Sequence, residues 1–153
     1  MHGIDRRMFL AGAGVLAFAP GTALAQAQPR ITMWKDPNCG CCGAWAERAQ
    51  AAFRERVQIV PIADMQALKR ARGIPEDLWS CHTSMVHGYL AEGHVPPADL
   101  QRLIASRNRQ IRGLAVPGMP LGAPGMEMGG RTQRYQVFAF GPGARRTVYA
   151  THG

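Results

Sequence analysis

Three of the chain's four cysteines stand within four positions, as Cys39-Gly40-Cys41-Cys42. Before them runs Ile31-Thr-Met-Trp-Lys35, a short β-rich stretch closed by the turn signal Asp36-Pro37-Asn38. After them, Gly43 to Phe53 (GAWAERAQAAF) has Trp45, Ala49 and Ala52/Phe53 at helical spacing and reads as an amphipathic helix. The thiols therefore sit where a strand hands over to a helix. There the free N–H groups of the first turn, and the positive end of the helix dipole, favour thiolate over thiol.

A redox C-x-x-C needs one attacking and one resolving thiol, and Cys39 with Cys42 would suffice. Cys41 is superfluous to that chemistry and would scramble it. Three thiolates in one turn suit a soft metal better, and glycines at 40 and 43 let the backbone fold closely around it. The fourth cysteine, Cys81, precedes His82, and in the fold inferred below it would lie beside the first three. Four thiolates suit Cu(I), Zn(II) or an iron–sulfur cluster, but C-x-C-C…C matches neither a paired C-x₂-C zinc ribbon nor the ferredoxin spacings. Adjacent cysteines bridge several ions more readily than they occupy two corners of one tetrahedron, which favours a polynuclear Cu(I)–thiolate centre. The alternative is disulfide pairing, for instance Cys39–Cys42 with Cys41–Cys81.

At 153 residues the chain has room for one domain with a real core. Val57 to Ile62 reads as a second strand. Asp64 caps a second helix that runs to about Arg72 and stops at Gly73. Thr83–Val86 and Tyr89–Ala91 flank His87-Gly88 as a tight hairpin. Pro96-Pro97-Ala-Asp99 opens a third helix with Leu100, Leu103 and Ile104 as its apolar face. The order β-α-β-α-β-β-α predicts an α/β, thioredoxin-like fold, a central mixed sheet with flanking helices. From Gly113 to Gly130 the composition changes to GLAVPGMPLGAPGMEMGG, which predicts an ordered loop packed on the domain and no regular strand. Tyr135–Phe140 and Thr147–Ala150 are two further strand candidates.

Met33, Met65 and Met85 read as core. Met119, Met126 and Met128 lie in the Gly/Pro-rich loop, where their thioethers either plug an apolar surface or act as auxiliary soft ligands. His82 is the best auxiliary histidine. His87 reads as a turn residue, His94 as a residue that caps the third helix or binds, and His152 as tail. Asp36 and Glu92 read as turn or cap residues. No Ser/His/Asp triad, carboxylate pair or phosphate loop is discernible.

Residues 1–25 read as an address. Arg6-Arg7-Met8-Phe9-Leu10 is a twin-arginine pair of Tat type, an apolar stretch from Leu10 to Ala19 follows, and Ala23-Leu24-Ala25 is a cleavage site. A Sec signal or a retained anchor are the other readings of this segment. The apolar run is shorter than the ~20 residues of a spanning helix. Residues 26–153 are then a single domain, soluble in the periplasm after cleavage behind Ala25. Losing Asp5, Arg6 and Arg7 takes the formal charge from +8 to +7. The arginines are scattered without interleaved aromatic residues, so the basic balance describes a solvated surface and not a nucleic-acid site.

Taken together, Asp36-Pro-Asn-Cys-Gly-Cys-Cys42 with Trp45, Gly73-Ile-Pro75, Ser80-Cys-His-Thr83, Gly88-Tyr89, Glu92-Gly-His-Val-Pro96, Pro117-Gly-Met-Pro120 and Pro124-Gly-Met-Glu127 resemble the CopG-type periplasmic copper-resistance proteins. The resemblance spans about residues 31–140, and Cys39, Cys41, Cys42 and Cys81 match the family's cysteine positions. It implies a thioredoxin-like fold holding a cysteine-bridged copper cluster, with a role in copper tolerance and copper redox activity. Ser84, Leu121 and Ala123 depart mildly from the family pattern. Three functions follow: Cu(I) sequestration with Cu(I)/Cu(II) cycling, thiol–disulfide exchange through Cys39 and Cys42, or metal delivery to other periplasmic copper-handling proteins.

Overall fold

A computed structural model describes residues 29–153. The export signal read at 1–25 lies outside the described residues. The elements run β1 (Ile31–Lys35), α1 (Cys41–Phe53), β2 (Val57–Pro61), α2 (Met65–Ala71), β3 (His82–Val86), β4 (Tyr89–Glu92), α3 (Pro97–Ser106), β5 (Gly113–Ala115), β6 (Tyr135–Phe140) and β7 (Arg146–His152). One mixed sheet of seven strands orders them β2-β1-β3-β4-β5-β6-β7. The pairs β1–β2 and β4–β5 are parallel, and every other pair is antiparallel. No helix among the described residues is long and apolar enough to cross a membrane.

The helices form where the apolar spacing demands. Helix α1 buries Cys42, Trp45, Ala46 and Ala49, an i, i+3, i+4, i+7 stripe, and α3 buries Leu100 and Leu103. These residues close with Ile31, Met33, Val86, Ala91 and Leu114 into the main core on one face of the sheet. The opposite face carries a smaller cluster of Ile74, Leu78, Leu90, Ala115 and Phe140. Asp64 caps α2 by accepting the Ala67 N–H at 2.8 Å. The β3–β4 hairpin turns on His87 and Gly88, both at positive φ, as a two-residue turn between right-twisted strands requires.

Within the sheet, the structure corrects the sequence reading in two places. Gly113–Ala115 is a strand, not loop: it pairs Leu90 with Gly113 on one side and Phe140 with Gly113 on the other. A side chain at 113 would press into the Leu90 carbonyl and the Phe140 ring, so glycine here permits close strand approach. His152 is not tail. It ends β7, and its Nε2 lies 2.7 Å from Oδ2 of the buried Asp99 on α3, while its ring stacks on Tyr135.

Beyond β5 the loop from 116 to 134 is held by its own hydrogen bonds. Ala123 donates to the Pro120 carbonyl, Met126 to that of Ala123 and Gln133 to that of Leu121. Gly125, at φ +84, lies so close over the start of α1 that a Cβ there would come within 2.6 Å of the Trp45 nitrogen.

Candidate metal centre

The cysteines are delivered by a turn and a helix start. Asp36 accepts the Asn38 N–H on its carboxylate at 2.8 Å, and its carbonyl accepts the Cys39 N–H at 3.0 Å. Helix α1 then begins at Cys41, two residues earlier than its apolar pattern suggests, with Gly40 as an N-cap that offers no side-chain bond. Without a side-chain cap, the first-turn N–H groups of α1 have no intrahelical partner, at the end of the helix that carries Cys41 and Cys42. The helical rotation sends Cys42 into the core and leaves Cys39 and Cys41 half-buried. Cys81 arrives from just before β3, also half-buried.

All four sulfurs lie within 4.8 Å of one another. Cys39 and Cys42 are joined in a disulfide, while Cys41 and Cys81 are free thiols. The Cys39 and Cys41 sulfurs are 3.7 Å apart. Burial, then the neighbouring Cys41, push the Cys81 thiol up to about 12, against a weaker pull from Ser80. Cys81 is thus protonated at neutral pH, and a metal ion taking its sulfur must displace that proton.

Behind the sulfurs, under α1 and α3, lie two buried imidazoles. His82 Nδ1 is 3.2 Å from the Cys81 sulfur, and its ring packs against Trp45 and edge-on to His94. His94 does not cap α3. Its Nδ1 sits 2.8 Å from the Pro124 carbonyl, which fixes that nitrogen as the donor and leaves Nε2 a lone pair with no partner. Burial holds both rings below the ordinary histidine range, His82 well below it, and His82 is lowered further by His94 and Lys69. Cys81, His82 and His94 form a second potential donor set, again within 4.8 Å.

On the α2 face of the sheet is a feature absent from the sequence reading. Glu92 is no turn or cap residue: it is fully buried and ion-paired with the buried Lys69 of α2. The same carboxylate accepts the Thr83 hydroxyl and the Ser80 N–H, each at 2.6 Å. Burial raises the Glu92 carboxyl, opposed by Lys69, Thr83 and Ser80. This pair grips both flanks of Cys81. Gly93 completes the seat, since any side chain there would collide with Ser80 and the Val116 carbonyl. The available signal was a glutamate ending an apolar strand, YLAE, opposite a threonine.

The methionines divide. Met33 is core, as expected, whereas Met85 is half-buried against the smaller cluster. Met65 and Met119 line a cavity of about 380 Å³ with Lys69, Trp79, Ser80 and Cys81, so Met65 faces the site region and not the core. Met119 and Met128 are exposed and Met126 half-buried. Of the three loop methionines, Met119 is the one that lines this cavity beside Cys81.

Residues 78–126 match a family model described as a protein of unknown function, DUF411. No curated protein matches the chain. Two solved structures are similar to it. One, titled copper resistance protein CopG, form 2, is 40% identical, covers 80% of this chain and 97% of that one, and has a TM-score of 0.75. The other, form 1, is also 40% identical with a TM-score of 0.75, covering 82% and 98%.

Proposed function

The chain belongs to the CopG copper resistance family, and on that premise we propose that it is a periplasmic copper-binding protein that holds Cu(I) in a polynuclear, cysteine-bridged site and contributes to copper resistance. Cys39, Cys41, Cys42 and Cys81 are the ligands, with His82, Met119, Met126 and Met128 as auxiliary donors. The observation that carries this reading is the convergence of four sulfurs, three of them from one turn, within 4.8 Å. Soft thiolates select Cu(I), and sulfurs this crowded are placed to bridge ions. The β2-β1-β3-β4 core with helices on both faces supports a thioredoxin-like description of the domain. The twin-arginine segment and the Ala23–Ala25 site support export with cleavage after Ala25.

The full site requires the Cys39–Cys42 bond to be opened by an external dithiol, which supplies the two electrons and two protons and is itself oxidised to a disulfide. The reduced chain, purified without air, is expected to retain more than one copper by elemental analysis and to show no free thiol. Cys41→Ser should abolish that stoichiometry. A copper-replete preparation that emerges metal-free, with its sulfurs cross-linked, would overturn the proposal. Cu(I)/Cu(II) cycling and transfer to periplasmic acceptors extend the same reading, and a metal-transfer assay with candidate acceptors tests the second.

The closed Cys39–Cys42 pair favours one other reading, a thiol–disulfide oxidoreductase on the same fold. Cys41→Ser separates the two: dithiol exchange survives it, and the copper site does not.

A further inference from the structure

The four sulfurs are not equivalent: one pair is bonded and the other is free, and the two pairs sit differently. Cys42 is fully buried, so the disulfide is anchored in the core against the Trp45 and Ala46 side of α1. Cys41, one helical step round, stays half-buried next to the equally half-buried Cys81, within 4.8 Å. We infer that the chain with Cys39–Cys42 closed still carries a metal site, in which Cys41 and Cys81 hold one Cu(I) as a two-coordinate dithiolate. This rests on the copper reading above and adds a binding state that the four-cysteine cluster does not describe.

Three observations support the pairing. First, the Cys41 and Cys81 sulfurs lie no more than 4.8 Å apart, so metal–thiolate bonds of about 2.3 Å, the zinc–sulfur length, reach both from one ion between them. Second, two sulfurs alone cannot satisfy Zn(II), which takes four ligands, whereas a soft monovalent ion is content with thiolates. Third, Cys81 is seated independently of the disulfide. Ser80 is held by Glu92 and by the Gly118 carbonyl, Thr83 by Glu92, and Gly93 packs beneath. None of those contacts involves Cys39 or Cys42. Binding is balanced by protons: two thiols and one Cu(I) give one anionic S–Cu–S unit and release two protons to solvent.

The test uses the full chain with the disulfide closed, kept free of air and titrated with Cu(I) against a chromophoric Cu(I) chelator. Expected is one Cu(I) per chain, with the disulfide intact by mass and both remaining thiols protected from alkylation. Cys41→Ser and Cys81→Ser should each lose at least about 100-fold in competition with the chelator, beyond what disturbing an outer contact does. Failure to compete for any Cu(I), or binding that ignores Cys41→Ser, overturns the inference. Binding lost in His94→Ala but kept in Cys41→Ser also overturns it, placing the ion on Cys81, His82 and His94 instead. The fully reduced chain is run beside it. More than one copper there with none in the closed form sinks only this inference, while no copper in the reduced form sinks the copper reading itself.

Discussion

Two regions meet at Ser80-Cys81 and are built on opposite principles. On the sulfur side, four cysteines crowd together with few partners beyond one another, and three of the four are open to solvent in part. On the α2 side, Lys69, Glu92 and Thr83 are buried and bonded to each other, and the Glu92 carboxylate also holds the Ser80 N–H. A ligand set must keep its donors unspent, so it cannot stiffen itself. The buried ion pair supplies stiffness in its place: its geometry is fixed because an unpaired charge there is costly. The binding region is thus loosely bonded, and its frame is fully bonded.

Removing one partner of the frame should have the largest effect. Glu92→Ala leaves the Lys69 ammonium buried and alone, an expected loss of about 3–5 kcal/mol, read as a lowered denaturant midpoint. A loss below about 1 kcal/mol would mean that the pair is not the anchor described. Second, Gly125→Ala forces a methyl group against the backbone of Ala44 and Trp45 at a positive φ. It should cost about 1–3 kcal/mol and shift the loop off α1, seen as faster proteolysis of the 116–134 segment.

Third comes pH. His82 and His94 are neutral in the fold and resist protonation, whereas in the unfolded chain they take up protons near 6.5. Below that pH the unfolded state binds more protons. The metal-free chain should then lose up to about 1.4 kcal/mol per pH unit for each ring, and gain nothing from them above it. The raised carboxyl of Glu92 acts in the opposite sense, favouring the fold as pH falls. Denaturant midpoints followed downward from about pH 7 through the ordinary carboxylate range near 4.5 should therefore fall more steeply in Glu92→Gln than in the parent. The smallest stability effect belongs to the sulfur side. Cys41→Ser, half-buried and free, should stay within about 0.5 kcal/mol of the parent while losing copper. A large destabilisation there would erase the contrast between the two regions.

Much of the site was legible because its signals are local. The Asp36 turn, the Trp45–Ala49 stripe, the Asp64 cap and the His87-Gly88 hairpin each carry their instruction within a few residues. What stayed hidden depends on distant partners. Strand β5 is three residues long and begins with a glycine, and only Leu90 and Phe140 on either side make it a strand. Glu92 looks like a polar strand end until Lys69 arrives from α2. His152 looks like tail until β7 brings it to Asp99. Of the two disulfides the sequence offered, Cys39–Cys42 forms, while Cys41 and Cys81 stay free thiols, an outcome that turns on how the helix start meets a cysteine forty residues away.

The segment from 116 to 134 departs from β5 and re-enters as β6, and those strands lie side by side. It works as a belt fastened at both ends to one plate, with Gly125 pressed on the first turn of α1. The clasp is β7, which zips along β6 and hooks Asp99 through His152. None of the four sulfurs belongs to β7, yet cutting that strand away would slacken the belt where it crosses them.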